Sequence, residues 1–167
     1  YKANILGTDN EQYIADNIFC NDRSFNAYNT GTGVGTSSTE YRWYNGPWDS
    51  SSKNTNMKLI CPQKNDTFTV NDTTNGNGAL AYPIGLLNAD ELVLASSGRY
   101  SYLHIGTTYW LMSPEFSNSY YTRMRTFDLN GYLSYEQVKE VYGVRPVLNL
   151  KASALNAGTG TADDPVS

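Results

Sequence analysis

Charge is scarce in this sequence. Asp, Glu, Lys and Arg make up 17% of its 167 residues, against roughly 25% in ordinary soluble domains. The net charge is only −4; a nucleic-acid surface would be basic, so that class of partner is excluded. No apolar run approaches the roughly 18 residues of a membrane span, so direct insertion into a bilayer is not expected. His104 is the only histidine, and a Ser/His/Asp arrangement has no other conventional base to draw on. No Gly-x-Ser-x-Gly turn accompanies it. Flanked by Leu103 and Ile105, His104 is expected to be structural. The glycines of 31–35 meet neither the dinucleotide nor the P-loop spacing, so that segment reads as a surface loop. No secretory leader is present and the chain opens on Tyr1, which reads as a processed chain or an excised domain.

Cysteine is almost absent as well. Cys20 and Cys61 are the only two, and neither has a second ligand at CxxC or Cys/His spacing, so no metal centre is expected. Two readings remain. One is a Cys20–Cys61 disulfide formed in an oxidising compartment; the other is a pair of separate buried thiols. The Tyr/Asn/Thr/Ser-rich composition around them favours the bridge. Closing a loop of that length would contribute about 4 kcal/mol in the chain-entropy model.

What the chain has in quantity is Tyr, Asn, Ser, Thr and Gly. At this length one domain is expected, spanning 1–157, with a linker-like tail at 158–167. Thr8–Glu11 and Asn88–Glu91 both have capping-box spacing. The first is expected to open an amphipathic helix ending near Cys20, the second a short helix through Leu94. Short strands are expected at 57–61, 67–70, 81–87, 109–112 and 144–150. Asn130–Gly131 predicts a type I′ hairpin, with Leu129 opposite Tyr132, Phe127 opposite Ser134 and Arg125 opposite Glu136. Pro146 places the last strand at an edge or a bulge. Short strands, two short helices and long irregular loops together indicate the α+β class.

Five strings occur in order: Phe19-Cys20-Asn21-Asp22-Arg23-Ser24, Cys61-Pro62-Gln63-Lys64-Asn65-Asp66, Tyr82-Pro83-Ile84-Gly85-Leu86-Leu87-Asn88-Ala89-Asp90-Glu91, Tyr109-Trp110-Leu111-Met112-Ser113-Pro114 and Tyr142-Gly143-Val144-Arg145-Pro146-Val147. As a series they resemble an uncharacterised extracellular domain of surface and prepilin-like proteins from gut Gram-positive bacteria. Through its closing Gly-Val-Arg-Pro-Val strand, that group distantly resembles the C-type-lectin-like fold of formylglycine-generating enzymes and retroelement-diversified variable proteins. The resemblance implies twisted antiparallel sheets and a ligand surface in the stretch before the closing strand, 115–142. It does not carry over copper chemistry, because no cysteine follows Cys61. Nor does it carry over calcium-dependent sugar binding, because the Glu-Pro-Asn and Trp-Asn-Asp signatures are absent.

Asn118, Tyr120, Tyr121, Arg123, Arg125, Tyr132 and Tyr135 are the candidate ligand-binding residues. Tyr offers wide contact with two χ angles to freeze, Asn and Ser give adaptable hydrogen bonds, and Arg supplies oriented donors. An ordinary hairpin arm with polar residues is the competing reading of the same stretch. Tyr41, Trp43, Tyr44 and Trp48 form a second aromatic cluster, expected to cover a loop against the core. Asp66, Asn71, Asp72, Asn75 and Asn77 carry oxygens that calcium favours, but Asn and Asp also populate turns for local reasons. Arg145, in an apolar stretch, is expected to make a buried structural ion pair.

Together these features lead to an extracellular or cell-surface bacterial binding module, adhesin-like and not an enzyme, without a cofactor. It is expected to recognise a protein or carbohydrate ligand and to belong to a larger surface protein. A structural module of a pilus or cell-wall protein is the alternative. A glycoside hydrolase stands third, since Asp90 and Glu91 are better explained as first-turn helix residues.

Overall fold

The computed structural model describes residues 1–21, 39–40, 59–61, 64–95, 101–117, 120 and 122–155. The chain is α+β, with two antiparallel sheets and one α-helix among the described residues. The smaller sheet pairs β1 (Phe19–Cys20) with β3 (Thr67–Phe68), Phe19 opposite Phe68 and Cys20 opposite Thr67. The larger has the order β2-β4-β5-β6: β2 (Thr39–Glu40), β4 (Tyr109–Ser117), β5 (Thr122–Phe127) and β6 (Leu133–Gln137). The α-helix, α1 (Ala89–Ala95), lies in chain order between β3 and β4.

The α1 cap forms as its spacing predicts. Asn88 Oδ1 accepts from Glu91 N–H at 2.8 Å, and Glu91 Oε2 accepts from Asn88 N–H at 2.8 Å, a reciprocal pair that satisfies two otherwise orphaned donors. Ala89 and Leu92 then face the sheet and join Leu103, Tyr109, Leu111 and Phe127 in the core, with Leu87 and Leu133 packed beside them. The Tyr109 and Phe127 rings meet edge to face at 5.7 Å. Ser113 Oγ, fully buried, accepts from Ala89 N–H at 2.9 Å and ties the helix start to β4.

The other N-terminal cap behaves differently. Thr8 Oγ1 accepts from Asn10 N–H and Glu11 Oε2 from Gly7 N–H, but the helix they open is a 3-10 helix that stops at Tyr13. It does not reach Cys20. Tertiary pairing wins: Ile14 bridges Leu150, Ala15 N–H donates to Asn149, and Phe19–Cys20 enters the small sheet. Among the described residues there is therefore one short α-helix where two short helices were expected. Cys20 and Cys61 form a disulfide, with S–S 2.04 Å and Cα–Cα 5.7 Å.

Several expected strands shrink. Segment 81–87 is not a strand: 81–83 bend, Ile84 N–H donates to the Tyr82 carbonyl, Gly85 bridges Val147, and the Leu87 carbonyl accepts from Met112 N–H; Pro83 has no N–H to donate. Residues 59–61 are not a strand, and 57–58 lie outside the described residues. β3 stops at Phe68 because Thr69 Oγ1 turns to the Asp72 carbonyl at 2.7 Å. β4, by contrast, runs five residues past its expected end, and Pro114 is accommodated at register irregularities on either side of it. Among the described residues the closing stretch forms no strand, and it meets its neighbours at isolated bridges of Gly143, Val147 and Leu150. The tail 158–167 lies outside the described residues.

Candidate functional site

The β5–β6 hairpin places most of the predicted contact residues, and its register is one residue away from the expected one. Phe127 pairs with Leu133, Arg125 with Tyr135 and Arg123 with Gln137. Glu136 stands opposite Met124, so the expected Arg125–Glu136 pair does not form. The cause is Asp128. Its Oδ1 accepts from Asn130 N–H at 2.9 Å and Tyr132 N–H at 2.8 Å, while Gly131 N–H donates to the Asp128 carbonyl. Asp128 N–H donates to the Tyr132 carbonyl, leaving a three-residue loop with Gly131 at φ 80°. This is the type I turn with a following left-handed glycine, rather than the two-residue I′ turn. A one-residue slip moves every side chain to the other face, so Tyr135 now shares a face with Arg123 and Arg125.

That face carries the site. The Arg123 guanidinium lies 4.4 Å from the Tyr135 ring centroid, and that of Arg125 lies 5.9 Å from it. Arg123 Nε approaches Glu115 Oε2 to 2.7 Å, with side-chain exposures of 25% and 14%. The contact is a close ion pair whose atoms are not aligned as a hydrogen bond. Pro114 and its flanking irregularities in β4 bring Glu115 alongside β5. Tyr135 itself is 44% exposed, so one side of its ring rests on cations and the remainder meets solvent. A guanidinium over a Tyr face contributes roughly 0.5–2 kcal/mol, more as it is desolvated.

The predicted contact residues divide into three groups. Arg123 and Tyr135 lie together on this face, while Arg125 shares it but is 8% exposed and built into the interior. Tyr120, 89% exposed, stands just before β5. Tyr132 lies beyond the opposite end of β5, about 20 Å away at the usual rise of a six-residue strand. Asn118 and Tyr121 lie outside the described residues, as does the aromatic cluster at 41–48. Arg123 and Tyr135 therefore share one surface, with Tyr120 standing before one end of β5 and Tyr132 beyond the other.

The other face of the sheet has residues that sequence reasoning passed over. The Trp110 and Tyr142 rings meet edge to face at 5.4 Å, beside an apolar groove of about 260 Å³ lined by Leu86, Trp110, Met124, Val138 and Val144. Desolvation raises the Tyr142 phenol above its ordinary pKa, and the Glu136 and Glu140 carboxylates raise it further. Strand parity, once the Asp128 turn is recognised, is the signal that puts Glu136 here.

The remaining candidates have structural partners. His104 Nε2 lies 2.9 Å from the Leu129 carbonyl, and its ring meets Phe127 edge to face. Arg145 Nη1 donates to the Leu103 carbonyl at 2.8 Å, with its guanidinium 5.6 Å from the Tyr109 centroid. Asp72 accepts from the N–H groups of Thr74 and Asn75 and from the Asn75 amide. Asn77 is bound to Asn65 and Ala79. These oxygens and amides hold the loop together. Among the described residues no group of three or more His, Cys, Asp or Glu is arranged to hold a metal ion, and no helix is long and apolar enough to cross a membrane. No family model matches the chain, and neither a curated protein nor a solved structure matches it.

Proposed function

We propose that this protein is an extracellular or cell-surface bacterial binding module of the adhesin type, without enzymatic activity. In this reading the α+β chain is a distant C-type-lectin-like fold, part of a larger surface protein, and it recognises a protein or glycan. The observation that carries the reading is the supported ring of Tyr135. It is half open to solvent and held from beneath by Arg123, which Glu115 holds in turn. A rigid aromatic loses little conformational entropy on contact, which is why Tyr and Arg recur at binding hot spots. Tyr120, exposed just before β5, is the second candidate contact. The disulfide fits an oxidising compartment.

The test is a glycan array together with a pulldown from host-cell surface proteins, each run with wild type and with Tyr120→Ala/Tyr135→Ala. A specific ligand retained by the wild type and lost by the double variant, at a nearly unchanged melting temperature, is the expected result. A captured ligand that the double variant still holds equally well refutes the site. An empty array and an empty pulldown fit the alternative, a structural pilus or cell-wall module.

A further inference from the structure

An apolar groove lies on the sheet face opposite Tyr135, and we infer that it takes a lysine side chain of a partner protein. Its floor follows from register. Trp110 stands opposite Thr126, and Met124, two residues before Thr126, stands opposite Glu136. Opposed residues share a face, as do residues two apart, so Trp110, Met124 and Glu136 lie on one side. Its wall follows from the path of the chain. After β6 the chain turns, with Glu140 N–H donating to the Gln137 carbonyl at 2.9 Å. It then returns to the edge of β4 away from β5, where Trp110 N–H donates to the Gly143 carbonyl at 2.9 Å. Segment 138–142 therefore crosses the sheet, and the groove of about 260 Å³ opens beside it between Val138, Val144, Leu86, Met124 and Trp110. Val138, Val141 and Val144 are all exposed around it.

One end of the groove is aromatic and anionic. The Trp110 and Tyr142 rings meet at 5.4 Å with their planes 69° apart, which makes a corner rather than a parallel slot. The Tyr142 phenol donates to the Glu136 carboxylate, and the Glu140 carboxylate also acts on it. Elsewhere the chain supplies its tyrosine rings with cations of its own: Lys2 over Tyr82, Arg145 over Tyr109 and Arg123 over Tyr135. Among the described residues no cation lies over Trp110 or Tyr142, and neither Glu136 nor Glu140 is in an ion pair; the exposed Lys139 between them makes none. An apolar trough that ends in two ring faces and two uncompensated carboxylates is complementary to an apolar stem that ends in a positive charge.

The occupant follows from the shape of that end. Lysine carries a compact ammonium on a flexible four-carbon stem, and its three donors can reach both carboxylates while the charge sits in the corner. A guanidinium is planar and stacks on a ring face, which a corner of two crossed rings serves less well. A quaternary ammonium suits the rings but has no N–H for the carboxylates. The groove is on the face away from Tyr135, so this inference does not depend on the ligand reading of that ring.

The test follows backbone and indole N–H chemical shifts of the full, disulfide-intact chain by NMR, with Nα-acetyl-lysine amide added to about 50 mM, a range that reaches millimolar affinity. The Trp110 indole and the Val138 and Tyr142 amides are expected to shift saturably, with one shared Kd. Nα-acetyl-norleucine amide has the stem without the ammonium and is expected to bind about fivefold more weakly or worse. Glu136→Gln/Glu140→Gln is expected to weaken the lysine probe about fivefold at a nearly unchanged melting temperature, since a glutamine carbonyl can still accept from the Tyr142 phenol. If the double variant does not fold, the norleucine comparison decides alone. The inference is overturned if Trp110 shows no saturable shift, if the norleucine probe binds as well as the lysine probe, or if a folded double variant binds lysine like the wild type. Equal or tighter binding of Nα-acetyl-arginine amide or choline also overturns it.

Discussion

The ring of Phe19 occupies the space where Gly85 would carry a Cβ. A methyl built on Gly85 collides with the Cδ1, Cγ and Cε1 atoms of Phe19. The two residues come from different parts of the fold. Phe19 is in the small sheet and buried, and Gly85 is the bridge partner of Val147. Their approach sets how closely the disulfide-linked sheet packs on the closing segment. Gly85→Ala is therefore expected to destabilise the chain by about 1–3 kcal/mol, the usual range for overpacking, even though alanine relieves glycine's backbone entropy. Urea unfolding, with the midpoint falling and the slope unchanged, is the measurement. A neutral result would mean that Phe19 has room to turn aside.

Asp16 clamps a turn more than fifty residues away in sequence. Its carboxylate accepts from the N–H groups of Val70 at 2.7 Å, Asn71 at 2.7 Å and Asp72 at 3.1 Å. Desolvation pushes the carboxyl up and the nearby Asp72 charge adds to that, but the three N–H donors outweigh both and hold it below its ordinary pKa. A depressed folded value means the stabilisation is present above the unfolded value, about 3.9. It is lost as pH falls through the folded value. Asp16→Asn should cost about 2 kcal/mol at pH 7, the scale of hydrogen bonds to a charged group. Its stability curve should converge on the wild type in acid. Parallel curves down to pH 2 would show that the charge is not what matters.

The sequence made local features legible and hid those decided elsewhere in the fold. The Asn88–Glu91 box is complete within four residues, so its spacing sufficed. Thr8–Glu11 has the same spacing and also caps, but the length of its helix is set by Leu150 and Asn149, far along the chain. The hairpin could be read from Asn130–Gly131. Its register could not, because the Asp128 carboxylate chose the turn and that choice reversed the faces of β6. Tyr135 and Arg123 were both foreseen as contact residues, but their stacking depended on that reversal, and Glu115 joined them through irregularities around Pro114. Arg125 looked like its neighbour Arg123, and only packing distinguishes the buried one from the accessible one.

Glu91 combines a useful position with an unfavourable environment. Burial raises its carboxyl above the ordinary value, and the bond from Asn88 N–H lowers it only in part. With a raised folded value, the associated stability is present below the unfolded pKa, near 4.3. It is lost as pH rises through the folded value. Glutamine also closes a capping box, so Glu91→Gln should raise the melting temperature at pH 7 and leave it nearly unchanged at pH 4. Asn88→Ala removes the other half of the box and should cost about 1 kcal/mol at both pH values. Thermal unfolding at the two pH values separates these outcomes; a Glu91→Gln loss at pH 7 would show that the carboxylate's charge is stabilising at the helix start.

Arg123 has two tasks that lysine cannot perform at once. Its Nε meets Glu115 and its planar guanidinium covers Tyr135, and an ammonium offers neither a planar face nor a donor partway along the stem. Arg123→Lys and Glu115→Gln should each lower stability by about 1–2 kcal/mol. Both groups are mostly buried, and truncating one leaves the other's charge without its nearest counterpart. If Glu115 acts by holding Arg123, the double variant should cost less than the sum of the single ones, with a coupling of about 0.5 kcal/mol or more. Tyr135→Phe should keep the coupling, since the cation–ring attraction needs no hydroxyl, and Tyr135→Leu should weaken it. Urea unfolding of the cycle in each of the three Tyr135 backgrounds measures this directly. An additive cycle would mean that the Tyr135 ring is not held by the ion pair beneath it, and the case for a preorganised contact surface would fail with it.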